Sequence, residues 1–127
     1  MAKILVADDE ICVQGLMRDI LEAESHQVLT VSNGSDVIPT LKKERPDLLI
    51  LDVMMPGVDG FSLQDTISKD PELSRIPVIV ATAQHSFLQM FKKFRQVTGM
   101  LRKPFKNEEL IATVKDVLSR RPDPYQR

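Results

Sequence analysis

Five short stretches of the chain have the pattern of β-strands, and the third is apolar almost throughout. In the stretch Asp47–Asp52, four consecutive aliphatic residues precede the final Asp52. Aliphatic runs of this kind are typical of parallel strands that helices cover on both faces of a sheet. The other predicted strands are Lys3–Ala7, Gln27–Val31, Ile76–Thr82 and Thr98–Lys103.

The segments between these strands carry apolar residues at helical spacing. The pattern is clearest in the first helix, at Val13, Leu16, Met17, Ile20 and Leu21, and in the last, which begins at Asn107 and presents Leu110, Ile111, Val114, Val117 and Leu118. In the second helix, Ser35 is a candidate N-cap, and the nearby Pro39 indicates a late start or a bend. Phe87, Phe91 and Phe94 mark the fourth helix, and we expect them to pack in the core.

Strands that alternate with helices, without repeats, predict an α/β fold with a doubly wound parallel sheet. For five strands and five helices, right-handed crossovers favour the order 2-1-3-4-5, a flavodoxin-like arrangement. We expect one domain over residues 1–120 and a short, disordered tail over residues 121–127.

Composition and charge narrow the class of protein. The chain has 127 residues and a net charge of −1, which argues against direct nucleic-acid binding because that requires a basic patch or stripe. Its single cysteine fits a reducing compartment. No apolar run reaches the ~18 residues of a membrane span, and the start lacks a signal-peptide pattern. The expectation is a cytoplasmic protein without a membrane partner.

Polar and charged residues stand where four of the predicted strands end. Asp8 and Asp9 follow the first strand, and Asp52, Thr82 and Lys103 close the third, fourth and fifth. Because carboxyl ends of parallel strands share one edge of the sheet, these groups are expected to converge there. Crowded carboxylates repel one another unless a cation is bound, and Mg²⁺ prefers oxygen ligands. With a lysine and a hydroxyl nearby, the edge predicts a pocket for a phosphoryl group beside a metal.

The same residues carry a family resemblance. Asp8-Asp9-Glu10, Leu51-Asp52-Val53-Met54-Met55-Pro56-Gly57-Val58-Asp59-Gly60, Thr82-Ala83 and Lys103-Pro104-Phe105 resemble the receiver domain of bacterial two-component response regulators, in particular the chemotaxis type. The resemblance covers residues 3–120 and all five strands. It implies a stand-alone signalling module in a phosphorelay, which takes phosphate on Asp52 from a histidine kinase or phosphotransfer protein. The downstream protein partner is unknown, and no enzymatic turnover beyond self-phosphorylation and slow self-dephosphorylation is expected.

The resemblance also implies roles for the other residues at this edge. Asp9, Asp52 and the backbone carbonyl of Met54 would bind Mg²⁺, and Asp8 would assist through water. Thr82 and Lys103 would contact the phosphoryl oxygens, and the Lys103–Pro104 peptide bond would be cis.

Three departures from the family pattern concern the switch region. Met100 stands where the family usually has an aromatic residue, and Gln96-Val97 replaces the usual Gly-Ala. Thr82 and Lys103 are 21 positions apart, slightly fewer than is usual, so the fourth helix or the loop after it is expected to be trimmed.

Other classes of function remain as alternatives. A receiver-like interaction module that phosphorylation does not regulate would have the same fold. A phosphatase with Asp52 as nucleophile would need a general acid two residues later, where the chain has Met54, and residues for a substrate-covering cap. A flavodoxin-type binder would need a phosphate loop after the first strand, and Asp8-Asp9-Glu10 has the wrong charge for one.

Overall fold

The computed structural model describes residues 1–56 and 59–120, and the core of the protein is a five-stranded parallel sheet. The strands are β1 (Lys3–Ala7), β2 (Gln27–Val31), β3 (Leu48–Asp52), β4 (Val78–Thr82) and β5 (Val97–Arg102). Their order across the sheet is β2-β1-β3-β4-β5, which confirms the doubly wound architecture predicted from the sequence. The predicted tail, residues 121–127, lies outside the described residues, as do Gly57 and Val58.

Helical segments connect the strands on both faces of the sheet. The α-helices are α1 (Ile11–Ala23), α2 (Val37–Glu44), α3 (Gly60–Lys69) and α4 (Asn107–Arg120), and a 3-10 helix (His85–Phe91) joins β4 to β5. Across residues 1–56 and 59–120, every helix is too short or too polar to cross a membrane.

A short 3-10 turn precedes α2 and resolves the position of its proline. Asn33, rather than the expected Ser35, caps this turn, because its side chain accepts a hydrogen bond from the backbone N–H of Ser35. The α-helix then begins at Val37, so Pro39 lies in the first turn, where a backbone N–H has no intrahelical partner. The late start that Pro39 indicates is therefore what the structure shows.

The pairing of the central strands fixes the functional edge of the sheet. Every residue of β3 and β4 is buried, as expected for parallel strands covered on both faces. Asp52 is in register with Ala81 of β4, and Ala7 of β1 is in register with Leu51. Each strand from β1 through β3 to β4 thus ends one residue beyond its neighbour, and all three end at the same edge.

The fourth connection is shorter and tighter than the α-helix that the phenylalanine spacing predicts. A 3-10 helix over His85–Phe91 takes its place, and the chain then turns directly into β5. A 3-10 helix rises about 2.0 Å per residue, against about 1.5 Å in an α-helix, so it spans the sheet with fewer residues. The expectation of a trimmed fourth helix is met in this way.

Three phenylalanines join this 3-10 segment to the start of α3. Phe91 and Phe94 are buried, and their ring centroids lie 5.7 Å and 5.3 Å from that of Phe61. The Nζ of Lys93 lies 5.5 Å from the ring centroids of both Phe61 and Phe94, at cation–π distance. Phe91 and Phe94 therefore lie in the core, as expected, and Phe87 is half-buried and packs against it.

Two buried glutamines link α3 to the segment before β5. Gln64 is fully buried, and its Nε2 donates a hydrogen bond of 2.9 Å to Oε1 of Gln96. Nε2 of Gln96 donates in turn to the backbone carbonyls of Leu73 and Ile76, at 3.1 Å and 2.8 Å. Burying an amide costs free energy unless it is hydrogen-bonded. The pair therefore connects α3, the segment before β5 and the segment before β4 that contains Leu73 and Ile76.

Gly60 allows α3 to begin directly against the end of β3. A Cβ atom at this position would lie 2.5 Å from the carbonyl oxygen of Val53 and 2.6 Å from its Cα. Both neighbours are backbone atoms, which cannot rotate away as a side chain can. Only glycine therefore permits this approach of helix and strand.

We expect Gly60→Ala to lower the free energy of unfolding by about 1–3 kcal/mol, the usual cost of forcing an extra methyl group into a packed site. Urea denaturation measures the change. Gly15→Ala is the matched control, because a Cβ there meets nothing within 4 Å. Since Gly15 lies inside α1, the control should gain about 0.5–1 kcal/mol. Equal effects of the two substitutions would contradict the close approach.

Candidate functional site

The carboxyl edge of the sheet brings together the side chains of four residues that the sequence places there. Asp8 follows β1, Asp52 ends β3, Thr82 ends β4, and Lys103 follows β5. Asp8, Asp52 and Thr82 are buried, with exposed fractions of 1%, 4% and 0%. Charged and polar groups are rarely buried to this extent unless they are paired or used in function.

The ammonium group of Lys103 lies at the centre of this edge. Its Nζ is 2.6 Å from Oδ2 of Asp8, 3.2 Å from Oδ2 of Asp52 and 3.4 Å from Oε1 of Glu10. The Lys103 side chain is only 10% exposed, so water screens these contacts weakly. The cation that relieves the repulsion between the carboxylates is, in this structure, the lysine itself.

The pKa values of the two central groups reflect this environment. Burial raises the pKa of the Asp52 carboxyl above its ordinary range, against the opposing effects of the Met54 N–H and the Lys103 charge. Burial alone would lower the pKa of Lys103, but its hydrogen bond to Asp8 and the charge of Asp52 outweigh this and raise that pKa. Lys103 is therefore held firmly in its charged form.

The two acidic residues that follow Asp8 take different positions. Oxygens of Asp8, Glu10 and Asp52 lie within 4.8 Å of one another, close enough to hold one metal ion. Asp9 is exposed, and among the described residues it makes no hydrogen bond or ion pair. Sequence reasoning missed Glu10 as a member of this cluster, although its place directly after Asp8 and Asp9 was the available signal.

Backbone groups fix the two shorter polar side chains at the edge. Oδ1 of Asp52 accepts a hydrogen bond of 2.9 Å from the N–H of Met54. The Oγ1 of Thr82 accepts a hydrogen bond of 2.9 Å from the N–H of Gln84, which leaves its own O–H free to donate. Both residues are thus oriented by the loop that follows their strand.

Gln14 is a second residue that sequence reasoning did not single out. Its buried side chain extends from α1 across the ends of β1 and β2. Nε2 donates to the backbone carbonyl of Asp8, and it lies 3.2 Å from the carbonyl of Val31 and 2.8 Å from Oγ of Ser32. The signal in the sequence was a glutamine on the predicted apolar face of the helix, three residues before Met17 and seven before Leu21.

The Lys103 backbone is held from the opposite side. Its carbonyl lies 3.0 Å from Nε2 of His85, at the start of the 3-10 helix. The following Lys103–Pro104 peptide bond is cis, as the resemblance implied. The N–H of Lys103 donates to the carbonyl of Thr82 at 3.0 Å, so the lysine stays aligned with the end of β4.

The sequence profile of the response regulator receiver domain matches residues 4–115. The chain belongs to this family. As a receiver domain it is a phosphoacceptor of two-component signalling, a signalling protein rather than a classical enzyme. Individual relatives and solved structures are similar to this chain as well.

Two curated relatives match the receiver domain over nearly their whole length. Protein PilH of Pseudomonas aeruginosa is 35% identical over 120 residues, which are 94% of this chain and 99% of PilH. Sporulation initiation phosphotransferase F of Bacillus subtilis is 30% identical over 116 residues, covering 91% of this chain and 93% of that protein. The phosphate regulon regulator PhoB of Rhizobium meliloti is 38% identical, but the match spans only 53% of its length.

Solved structures show the same fold. The chemotaxis response regulator CheY4 of Vibrio cholerae superposes with a TM-score of 0.84 at 30% identity, covering 92% of this chain and 98% of CheY4. A response regulator from Chloroflexus aurantiacus gives the same TM-score at 29% identity, with 94% and 98% covered.

We expect Gln14→Met, which keeps the side-chain shape but removes the amide, to lower the free energy of unfolding by about 1–3 kcal/mol. That is the usual cost of leaving buried carbonyls without partners. Because the Asp8 segment is then held less firmly, Mg²⁺ binding should weaken in the same variant. Urea denaturation and Mg²⁺ titration measure the two effects, and Gln89→Met at an exposed position is the control. A Gln14→Met variant that matched the control in both would show that the amide does not position the site.

Proposed function

We propose that Asp52 is the residue of this receiver domain that accepts the phosphoryl group. The observation that supports it best is the arrangement around its carboxylate. Asp52 is buried at the end of β3, oriented by the Met54 N–H, and faces the Lys103 ammonium at 3.2 Å. Oδ1 and Oδ2 are thus held by different partners, and the carboxylate presents itself at the sheet edge where ligands bind in open α/β folds.

The step transfers one phosphoryl group from a phosphohistidine to the free carboxylate of Asp52. A carboxylate oxygen of Asp52 attacks the phosphorus of a phosphohistidine, the O–P bond forms, and the N–P bond to the imidazole breaks. The electron pair of that bond returns to the imidazole nitrogen, and Asp52 becomes an aspartyl phosphate. No oxidant or further reactant is needed, and a small phosphodonor such as acetyl phosphate reacts in the same way.

The ammonium group of Lys103 neutralises negative charge during this step. Phosphoryl transfer depends mainly on positioning and on neutralising charge that spreads over the transferred oxygens. In the structure, the Lys103 ammonium is shared by Asp8 and Asp52. When a phosphoryl group arrives, its oxygens offer the ammonium a new partner, and the Thr82 hydroxyl is free to donate to them from β4.

The acidic residues at this edge fit a Mg²⁺ ion. Carboxylate oxygens are the ligands this ion prefers, and those of Asp8, Glu10 and Asp52 already lie within 4.8 Å of one another. We propose that Asp52, Asp9 and the Met54 carbonyl hold the ion as the resemblance implies, with Asp8 assisting through water and Glu10 an added acidic neighbour. When bound, the ion supplies positive charge to the phosphoryl oxygens.

The partners follow from the chemistry. The donor is a phosphohistidine on a histidine kinase or a phosphotransfer protein, consistent with the similarity to sporulation initiation phosphotransferase F. The new charge on Asp52 then alters hydrogen bonding at one point of the surface, and a downstream protein reads that change.

We expect Asp52→Asn to abolish both labelling by acetyl phosphate and binding of beryllofluoride, since the amide is a poor nucleophile. Asp9→Ala should weaken both reactions through the metal, and excess chelator should stop them in the unaltered protein. Phosphate-affinity gels and fluorine NMR measure these outcomes.

Asp19→Asn is the matched control, because Asp19 is exposed on α1 and has no partner among the described residues. It should react as the unaltered protein does. Labelling that survives Asp52→Asn, or that proceeds in excess chelator, would refute the assignment.

Met100 affects how the protein responds to phosphorylation. Met100, half-buried in β5, is flexible and lacks a ring, so it does not provide two well-separated rotamers as a switch aromatic would. We therefore expect amide exchange with Mg²⁺ and beryllofluoride to slow mainly in residues 54–58, of which Gly57 and Val58 lie outside the described part, and in Gln84 to Phe87.

The comparison is amide hydrogen exchange with and without those two additions, with Asp52→Asn as the unresponsive control. Met90 to Leu101 should change little or irregularly. A large, cooperative change confined to Met90–Leu101, with the two loops nearly silent, would contradict this expectation.

A further inference from the structure

Charge is unevenly distributed along the chain. From Leu73 to Asn107 there is no Asp or Glu, whereas the same stretch contains seven Lys and Arg residues. The whole chain nevertheless has a net charge of −1, so the remainder is strongly acidic. Of these seven residues, the candidate site described above uses only Lys103. The other six are Arg75, Lys92, Lys93, Arg95, Arg102 and Lys106, and none of them belongs to that site.

Two of the unassigned cations line one cavity at the opposite edge of the sheet. This cavity, of about 340 Å³, lies where the chain enters β4 and β5, and we call it the arginine cavity. Its polar lining residues are Ser74, Arg75, Arg95, Gln96, Thr98 and Arg120. A neighbouring cavity of about 470 Å³ shares Ser74, Arg95 and Gln96, and adds Lys93 and Asp65.

The acidic side chains near the arginine cavity are already paired. Asp116 lies 3.0 Å from the Arg120 guanidinium, which also donates to the Thr98 carbonyl at 3.1 Å. Asp65 lies 2.9 Å from Nζ of Lys69. The side chains of Arg75 and Arg95, by contrast, make no hydrogen bond or ion pair with any residue in the described part of the chain. Two exposed guanidinium groups on one cavity thus have no counter-charge from residues 1–56 and 59–120.

The wall of the arginine cavity is fixed from within the core. Gln96 is 8% exposed, and its amide donates to the carbonyls of Leu73 and Ile76, which flank Ser74 and Arg75. Its Oε1 accepts from Gln64, whose own Oε1 is the one buried side-chain oxygen without a partner in the described residues. Gln96, directly after Arg95, therefore holds both arginine-bearing segments beside each other.

We propose that the arginine cavity binds a small anion that carries a phosphate group, such as pyrophosphate or a phosphomonoester. Guanidinium groups match phosphate oxygens with paired N–H donors, and two unpaired guanidiniums suit a doubly charged group. The Ser74 and Thr98 side chains add hydroxyl donors, and the cavity volume leaves room for an organic substituent. This site is separate from Asp52 and does not depend on phosphoryl transfer.

The test is a titration of the whole ¹⁵N-labelled chain with pyrophosphate, followed by NMR in the presence of chelator. An Asp52→Asn background keeps the phosphoacceptor edge out of the measurement. We expect saturable shifts at Ser74, Arg75 and residues 95–98, and the double variant Arg75→Gln/Arg95→Gln should weaken binding at least about tenfold. Arg102→Gln removes a cation of the same acid-free stretch that does not line the arginine cavity, and it should change binding less than about twofold.

Three results of this titration would overturn the proposal. Shifts that never saturate, or equal losses in Arg102→Gln and the double variant, would indicate only general attraction to positive charge. Succinate that binds as tightly as pyrophosphate would show that the site does not select phosphate. Unaltered binding in the double variant would place the anion elsewhere. Because Asp52 is absent from all arms, these results leave the phosphoacceptor assignment untouched.

Discussion

A single buried ammonium group allows two buried carboxylates to exist side by side at the functional edge. Asp8 and Asp52 belong to neighbouring strands, and without a cation one of them would have to take up a proton. Lys103, the residue after β5, supplies that cation from two strands away, because β4 lies between β3 and β5. Removing one partner from such a cluster typically costs about 3–5 kcal/mol, because the other charge stays buried and uncompensated. The rest of the edge has the task of keeping these three side chains aligned.

Several neighbouring contacts serve this alignment from different directions. Gln14 holds the Asp8 backbone from α1, and the carbonyl of Lys103 is close to His85. The N–H of Lys103 donates to the carbonyl of Thr82. These contacts act on the backbone, while Oδ1 of Asp8 and Oδ1 of Asp52 each accept a hydrogen bond from a backbone N–H. The contacts of Lys103 with the two Oδ2 atoms are the ones that an arriving phosphoryl group would exchange.

The sheet, its strand order and the meeting of Asp52 with Lys103 could be predicted from the sequence for simple reasons. Aliphatic runs mark buried strands, right-handed crossovers restrict their order, and parallel strands deliver their last residues to one edge. The sequence shows three acidic residues in a row after β1, but not that Asp9 is exposed while Glu10 lies with Asp8 and Asp52, because that depends on how the backbone turns into α1. The Gln64–Gln96 pair was equally hidden, since its partners are 32 residues apart and meet only in the folded core.

The close approach at Gly60 has a mechanical consequence for the segment that contains Met54. Because Gly60 touches the backbone of Val53, that segment starts and ends at the same place in space. The end of β3 and the start of α3 are therefore in direct backbone contact, so a shift of one acts on the other. The residue after Gly60 is Phe61, whose ring is packed against Phe91 and Phe94. A backbone shift next to Asp52 can thus reach the fourth connection through two contacts, from Val53 to Gly60 and from the Phe61 ring to the other two rings.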